Sequence, residues 1–179
     1  MKRILSTLCA AAAVGMATTA HAQVNVTLPN STQTTTLTAN VSEQADVTVP
    51  SAVTFTVNDI NAATPASAAS VDVSSLVLAT ATKTLKISVQ ANTATFLQPS
   101  GTATWDASAV SWNAGTWTSA TGSAGTMSNS AFNTVATCAA DASSCSTSDL
   151  VFTLAANNSI VRSGNYTLVV TWKFESIGT

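Results

Sequence analysis

Few side chains in this sequence could carry out catalysis, and histidine is the scarcest of them. The single histidine, His21, lies in an N-terminal segment that we predict is cleaved. Without imidazole, the remaining chain cannot build a Ser-His-Asp or Cys-His nucleophile or a histidine metal site. There is no glycine-rich phosphate loop, and no pair of carboxylates is placed as a glycosidase requires. The sequence therefore predicts a protein that is not an enzyme and has no cofactor and no metal.

The acidic residues are scattered singly along the chain. Glu43, Asp46 or Asp59 could help to hold Ca²⁺ together with backbone carbonyls. The alternative, which we prefer, is that they are solvated carboxylates in turns.

Two cysteines remain after cleavage, Cys138 and Cys145, with six residues between them. In an oxidising compartment a pair this close predicts a disulfide that closes a small loop rich in Ala and Ser. The alternative is a redox-active pair, which would need the closer Cys-x-x-Cys spacing.

Three tryptophans, Trp105, Trp112 and Trp117, form the one unusual aromatic cluster. Exposed indole rings stack on sugars or anchor protein interfaces, whereas buried ones would close the open end of a β-sandwich. Trp105 and Trp117 have polar neighbours, so we expect them to be partly exposed and to be the candidates for ligand stacking. Trp112 follows Val110 on one face, which favours the core.

The first 22 residues have the pattern of a bacterial secretory signal peptide. Lys2 and Arg3 precede an apolar run, and the segment ends in Ala20-His21-Ala22. The run is too short for a comfortable transmembrane helix, and a lipoprotein would carry its cysteine at the end of the run, not at Cys9. We therefore predict export to the periplasm, the cell surface or the extracellular space.

Cleavage would leave a mature chain of residues 23–179 with a net charge of −4. Its eight acidic residues face four basic ones: Lys83, Lys86, Arg162 and Lys173. A chain with this balance is unsuited to binding phosphate backbones, so we expect no nucleic-acid partner.

Apolar residues alternate with polar ones along most of the mature chain. A period of two with many β-branched residues is typical of strands with one buried face. The segments with this pattern are residues 24–28, 37–41, 45–49, 53–57, 85–89 and 166–174, with denser apolar runs at 71–78 and 150–154. The predicted fold is a single all-β domain over residues 23–179, an antiparallel immunoglobulin-like β-sandwich of about eight to ten strands. Residues 118–130 are predicted to form a long loop, and Phe55, Phe96, Phe152, Tyr166 and Trp172 are predicted to belong to the core.

The end of the chain carries the clearest resemblance to known proteins. Gly164, Tyr166 and Thr171-Trp172 form a Gly-x-Tyr-x-x-x-x-Thr-Trp pattern similar to the terminal strand of WxL-type cell-surface domains. The layout of signal peptide, Thr-rich leading strand, sandwich and one disulfide resembles secreted bacterial fimbrial subunits and spore-coat-U-like pilins. This resemblance implies a structural subunit of a surface filament or coat, which assembles through its strand edges.

In such subunits, an N-terminal extension of one copy fills a groove in the next, with backbone pairing for affinity and alternate apolar side chains for register. Residues 23–41 are the candidate extension. Its apolar side chains are Val24, Val26, Leu28, Leu37, Ala39 and Val41. The alternative is that these residues are the first two strands of a closed domain, with a turn at Pro29-Asn30.

The resemblance implies self-association or other surface subunits as partners, and a periplasmic chaperone. A competing hypothesis is a secreted carbohydrate- or surface-binding module that stacks polysaccharide on Trp105 and Trp117.

Overall fold

The computed structural model describes residues 25, 27–29, 33–98 and 103–178. In these residues the chain is all-β, and a 3-10 turn at Ala107–Ala109 is the one helical element; none is long and apolar enough to cross a bilayer. Residues from Asn40 onward form one compact unit, separate from residues up to Ala39. The described strands are β1 (Gln44–Thr48), β2 (Thr64–Pro65), β3 (Ala69–Val77), β4 (Thr84–Ala91), β5 (Val110–Trp112), β6 (Ala120–Gly122), β7 (Gly125–Thr126), β8 (Asn133–Cys138), β9 (Cys145–Leu150), β10 (Phe152–Leu154) and β11 (Val170–Ile177).

The strands form three antiparallel sheets. The first has the order β1-β3-β9, the second β2-β10-β5-β7 and the third β11-β4-β8-β6. Only Val151 separates β9 from β10, so the first two sheets continue into one another along the chain. In the third sheet β4 is paired on both sides, whereas β11 is paired with β4 alone.

Alternating side chains of the central strands build the core. Ile87 and Val89 of β4 and Val71 and Val73 of β3 are completely buried, as is Leu150 of β9. Burying an aliphatic side chain of this size contributes about 1.5–3 kcal/mol. On β3 the polar Asp72 between the two valines faces solvent, as the period of two predicts. On β4 the intervening Ser88 is 1 % exposed, at a point where the pairing with β8 shifts register.

Several predicted strands are confirmed. Residues 45–49, 71–78 and 85–89 correspond closely to β1, β3 and β4, and the run at 150–154 corresponds to the end of β9 and to β10. The prediction of a long loop at residues 118–130 is wrong, because this segment contains β6 and β7. Glycine allows these short strands to lie against large rings, since a Cβ at Gly125 would meet the Trp112 ring at 2.5 Å.

Two other predicted strands are absent from the described residues, and a third begins later than predicted. Residues 37–41 and 53–57 belong to no strand, and β11 begins only at Val170, so that residues 166–169 precede it. Residues 53–57 and 166–169 nevertheless keep alternating exposure. They have the side-chain pattern of strands without a full complement of neighbours.

Candidate assembly groove

A groove with a volume of about 1020 Å³ opens between two extended segments. We call residues 49–57 the first wall and residues 160–172 the second wall. Core side chains form the floor between them: Phe96, Trp105, Val110, Met127, Phe152 and Leu154. The groove therefore reaches from the surface to the hydrophobic core.

The first wall is an extended segment that no other strand pairs with in the described part of the chain. Val53, Phe55 and Val57 are partly buried against the core, while the threonines between them are exposed. Pro50 at its start lacks an N–H group and cannot donate to a ladder. The wall makes no backbone–backbone hydrogen bond to any described residue.

The second wall is held from behind and is open in front. The Thr167 N–H donates to the Leu97 carbonyl (3.0 Å) and the Leu97 N–H to the Thr167 carbonyl (2.8 Å). Tyr166 packs edge-on against Trp105, with ring centroids 5.2 Å apart, and its hydroxyl donates to the Arg162 carbonyl (2.9 Å). Leu168 and Val170 lie on the same face as Tyr166 and line the groove.

Side chains that face the core are left uncovered along the unpaired edges. On β11, Trp172 lies opposite Val89 and Phe174 opposite Ile87. Opposed residues of an antiparallel pair lie on the same face, yet both valine and isoleucine are 0 % exposed while the two aromatic residues are only partly buried. On β1, Val47 is 46 % exposed opposite Val73, which is 0 % exposed. Among the described residues, neither edge has a covering neighbour.

The groove carries almost no charge. Arg162 is the one charged residue that lines it among those the structure describes, and the hydroxyls come mainly from Ser and Thr. An occupant with charged side chains would lose hydration without gaining ion pairs. The groove therefore suits an extended, uncharged segment with alternating apolar side chains.

Glu43 ties three parts of the chain together, and we call it with its partners the Glu43 clamp. The N–H of Ala79, the ammonium of Lys83 and the hydroxyl of Ser176 all donate to Glu43 Oε1, at 2.8, 3.0 and 3.1 Å. The Ala79 N–H, and then Lys83, hold the pKa of this carboxyl below its usual value. These contacts give Glu43 a role in joining the start of β1 to the β3–β4 turn and to β11.

The disulfide between Cys138 and Cys145 is confirmed. Both residues are 1 % exposed, and their Cα atoms are 5.8 Å apart. Because β8 belongs to the third sheet and β9 to the first, the bond joins two sheets.

A second carboxylate stabilises the loop beside this disulfide. Asp149 Oδ1 accepts hydrogen bonds from the Thr116 N–H and the Thr147 hydroxyl, both at 2.7 Å. These bonds, that from the Thr116 N–H most of all, lower the pKa of Asp149. They fix the loop that carries Trp117.

The expected exposure of Trp105 is wrong. Its ring is 5 % exposed, and its Nε1 donates to the Ala155 carbonyl, because the ring forms part of the groove floor. Trp117 is partly buried and donates to the Ala114 carbonyl, with Gly122 packed against its ring. Trp112 is buried, as predicted. The polar sequence neighbours of Trp105 gave no sign that its ring would turn inward.

The candidate extension is exposed wherever it is described. Leu28, Leu37 and Val41 are 81 %, 92 % and 75 % exposed, and Ala39 is exposed as well. Val24 and Val26 lie outside the described residues. From residue 33 to Glu43 the chain belongs to no strand, so these apolar side chains contribute nothing to a sheet.

The remaining carboxylates form no metal site in the part of the chain that the structure describes, where no group of three His, Cys, Asp or Glu side chains converges. Glu175, for example, pairs with Lys86 and Lys173 at 3.0 and 2.9 Å, and hydrogen bonds from these lysines, Lys173 first, lower its pKa.

Sequence analysis missed the groove because its walls have the pattern of ordinary core strands. Phe96 and Phe152 are buried as predicted, but Phe55, Tyr166 and Trp172 are only partly buried. Pro50 was the one local sign that the first wall would not pair. No family model, curated protein or solved structure matches the chain.

Proposed function

We propose that this chain is an exported, non-enzymatic structural subunit of a bacterial surface filament or coat, and that copies assemble by strand donation. The N-terminal segment of one copy fills the groove of the next. In this proposal the domain is an immunoglobulin-like sandwich that lacks one strand between its two walls. The observation that carries it is the partial exposure of Trp172 and Phe174 opposite fully buried residues of β4.

The proposed occupant matches the groove in chemistry. Residues 23–42 contain no charged side chain, and Val24, Val26 and Leu28 alternate with Asn25 and Thr27. An added strand gains backbone hydrogen bonds from a free edge, and its alternate side chains fill the pockets below. β11 offers such an edge beside the groove.

A second copy is the proposed source because the candidate extension, wherever it is described, is outside the strands. Leu28, Leu37 and Val41 are exposed in this chain, and pairing of the extension with a strand edge of another copy would bury its alternate apolar side chains. Before assembly the groove would need a temporary cover, which a periplasmic chaperone could supply by the same pairing. The predicted signal peptide and the buried disulfide support export through an oxidising compartment.

The test compares the mature chain, residues 23–179, with a form that lacks residues 23–32. Size-exclusion chromatography with light scattering over rising concentration should show multimers of the first and monomers of the second. Circular dichroism should show the same fold for both. A mature chain that stays monomeric at high concentration, with stability unchanged by the deletion, would refute the proposal.

A matched pair of substitutions distinguishes strand donation from non-specific association. Val26→Asp places a charge on the face that enters the groove and should abolish multimers. Thr27→Asp places the same charge on the opposite face of the same segment and should leave most of the assembly intact. Equal effects of the two substitutions would contradict a strand with one inserted face.

A further inference from the structure

The free edge of β11 is longer than the groove. β11 pairs with β4 along its whole length, from Val170 opposite Ala91 to Ile177 opposite Thr84. The groove lining reaches this strand at Val170 and Trp172. The groove alone therefore does not determine how far along the edge an incoming strand can pair.

The Glu43 clamp lies at the far end of that edge. Glu43 directly precedes β1, and its carboxylate accepts the Ser176 hydroxyl hydrogen bond on β11. The same carboxylate oxygen is held by Ala79 and Lys83, so its position is fixed from the side of the β3–β4 turn as well. A strand that passed between β1 and β11 here would have to break the bond to Ser176.

An inserted strand needs roughly 4.7–4.9 Å of separation from each neighbour. At Ser176 the Glu43 side chain and its hydrogen bond already join the residue before β1 to β11. Along the walls, in contrast, the same two edges of the domain enclose the open volume of about 1020 Å³. The space between them is therefore open beside Val170 and closed at Ser176.

We propose that Glu43 is a positioning residue that stops the incoming strand and so sets its register on β11. The inference rests on the proposed function. It limits pairing to the edge from Val170 to Glu175, a length of roughly 20 Å at about 3.4 Å per residue. The segment from Gln23 to Leu28 has the same number of residues, and Pro29 after it cannot donate a ladder hydrogen bond. The stop and the proline thus define matching lengths of acceptor and donor.

Register can be measured by disulfide trapping in assembled mature chains. Val26→Cys is combined with either Trp172→Cys, which it faces when Gln23 lies opposite Glu175 and Leu28 opposite Val170, or Phe174→Cys, two residues nearer the clamp. Under oxidation, the yield of cross-linked copies on non-reducing gels should be on the order of tenfold higher with Trp172→Cys, as loss of a charge-assisted hydrogen bond of typical strength implies. In a Glu43→Ala background this preference should fall toward equal yields, because the strand can slip by two residues without turning its apolar face outward.

Two control variants keep the test decisive. Glu43→Gln retains an acceptor for Ala79 and Ser176 and should restore most of the preference. Ser176→Ala removes only the contact to β11 and should reduce the preference even if Glu43→Ala folds poorly. A role in stability alone would lower both yields together and leave their ratio unchanged in the folded variants, which would overturn the inference. Folded wild-type chains that remain monomeric and form no cross-link would refute strand donation itself.

Discussion

Two sides of this domain hold their extended segments in different ways. Around β8 and β9, a buried disulfide joins two sheets, and Asp149 ties the loop between β5 and β6 to β9. Around the groove, the first wall makes no backbone pairing to described residues and the second wall is bonded on one side to Leu97. On the closed side, around β8 and β9, the contacts that cover the core come from the domain itself. On the open side, around the groove, core-facing residues remain partly exposed.

The difference shows that the same alternation of side chains can serve two purposes. On β4 it fills the core, because both edges of the strand are paired and residues such as Ile87 are inaccessible. On β11 and the two walls, it creates an apolar surface with unpaired backbone groups, which is the usual liability of a sheet edge. A protein that assembles through that edge turns the liability into a binding site.

The largest expected contrast is between two leucines, Leu150 on the closed side and Leu168 on the second wall. Leu150 is 0 % exposed, so Leu150→Ala should lower the free energy of unfolding by about 2–5 kcal/mol. Leu168 is only partly buried, so Leu168→Ala should cost the isolated domain about 1 kcal/mol. Urea denaturation measures both values on chains that lack residues 23–32.

The two leucine substitutions should have the opposite order of effect on assembly. In the full mature chain, Leu168→Ala should weaken multimers measured by light scattering, while Leu150→Ala, kept under conditions where it is folded, should not. If Leu168→Ala were as destabilising as Leu150→Ala in the isolated domain, the open side would be packed after all and the comparison would fail.

The next effect comes from the covalent link on the closed side. Replacing both Cys138 and Cys145 with alanine should lower the free energy of unfolding by about 2–3 kcal/mol, because the unfolded chain regains the entropy of a short loop. Urea denaturation under oxidising conditions, with the reduced wild-type chain as a second reference, measures the loss. The folded variant should still assemble, since neither cysteine lines the groove. If a folded variant lost its multimers, assembly at the groove would depend on the disulfide of the closed side.

The smallest effect is the dependence of stability on pH. The hydrogen bonds to Asp149 and Glu43 lower the pKa of each carboxyl in the folded chain. Each therefore contributes stability above its ordinary pKa of 3.8 or 4.5, and the contribution is lost as pH falls through the lower folded value. Urea midpoints should therefore fall as the pH is lowered below these ordinary values.

Two amide variants show how much of this pH dependence comes from the closed side and how much from the Glu43 clamp. Asp149→Asn removes the titrating group on the closed side, and Glu43→Gln removes the one in the clamp. Each should start from a lower midpoint at neutral pH and show a shallower decline in acid. A variant curve parallel to that of the wild type would mean that its carboxyl does not contribute.

Much of the strand content follows from local pattern. β3 and β4 were predicted because Val and Ile at every second position must share one face, and a cysteine pair with short spacing predicted the disulfide. β6 and β7 were missed because Gly and Ser carry no alternation. Their position depends on Trp112 of β5 and on Trp117 in the loop between β5 and β6. Trp105 was misplaced because an indole can turn toward the core from a polar stretch when Ala155 and Tyr166 offer it partners.

The sequence by itself determined the all-β character, the alternation of each extended segment and the scarcity of side chains suited to catalysis. These properties depend on residue type and on spacing along a strand. Only the tertiary structure decided which segments have neighbours. Val53 and Leu168 have the same local pattern as Val71 and Ile87, yet the first two line a groove and the last two are sealed in the core. Strand pairing joins residues far apart in the chain, so whether an edge is covered depends on the arrangement of all the sheets.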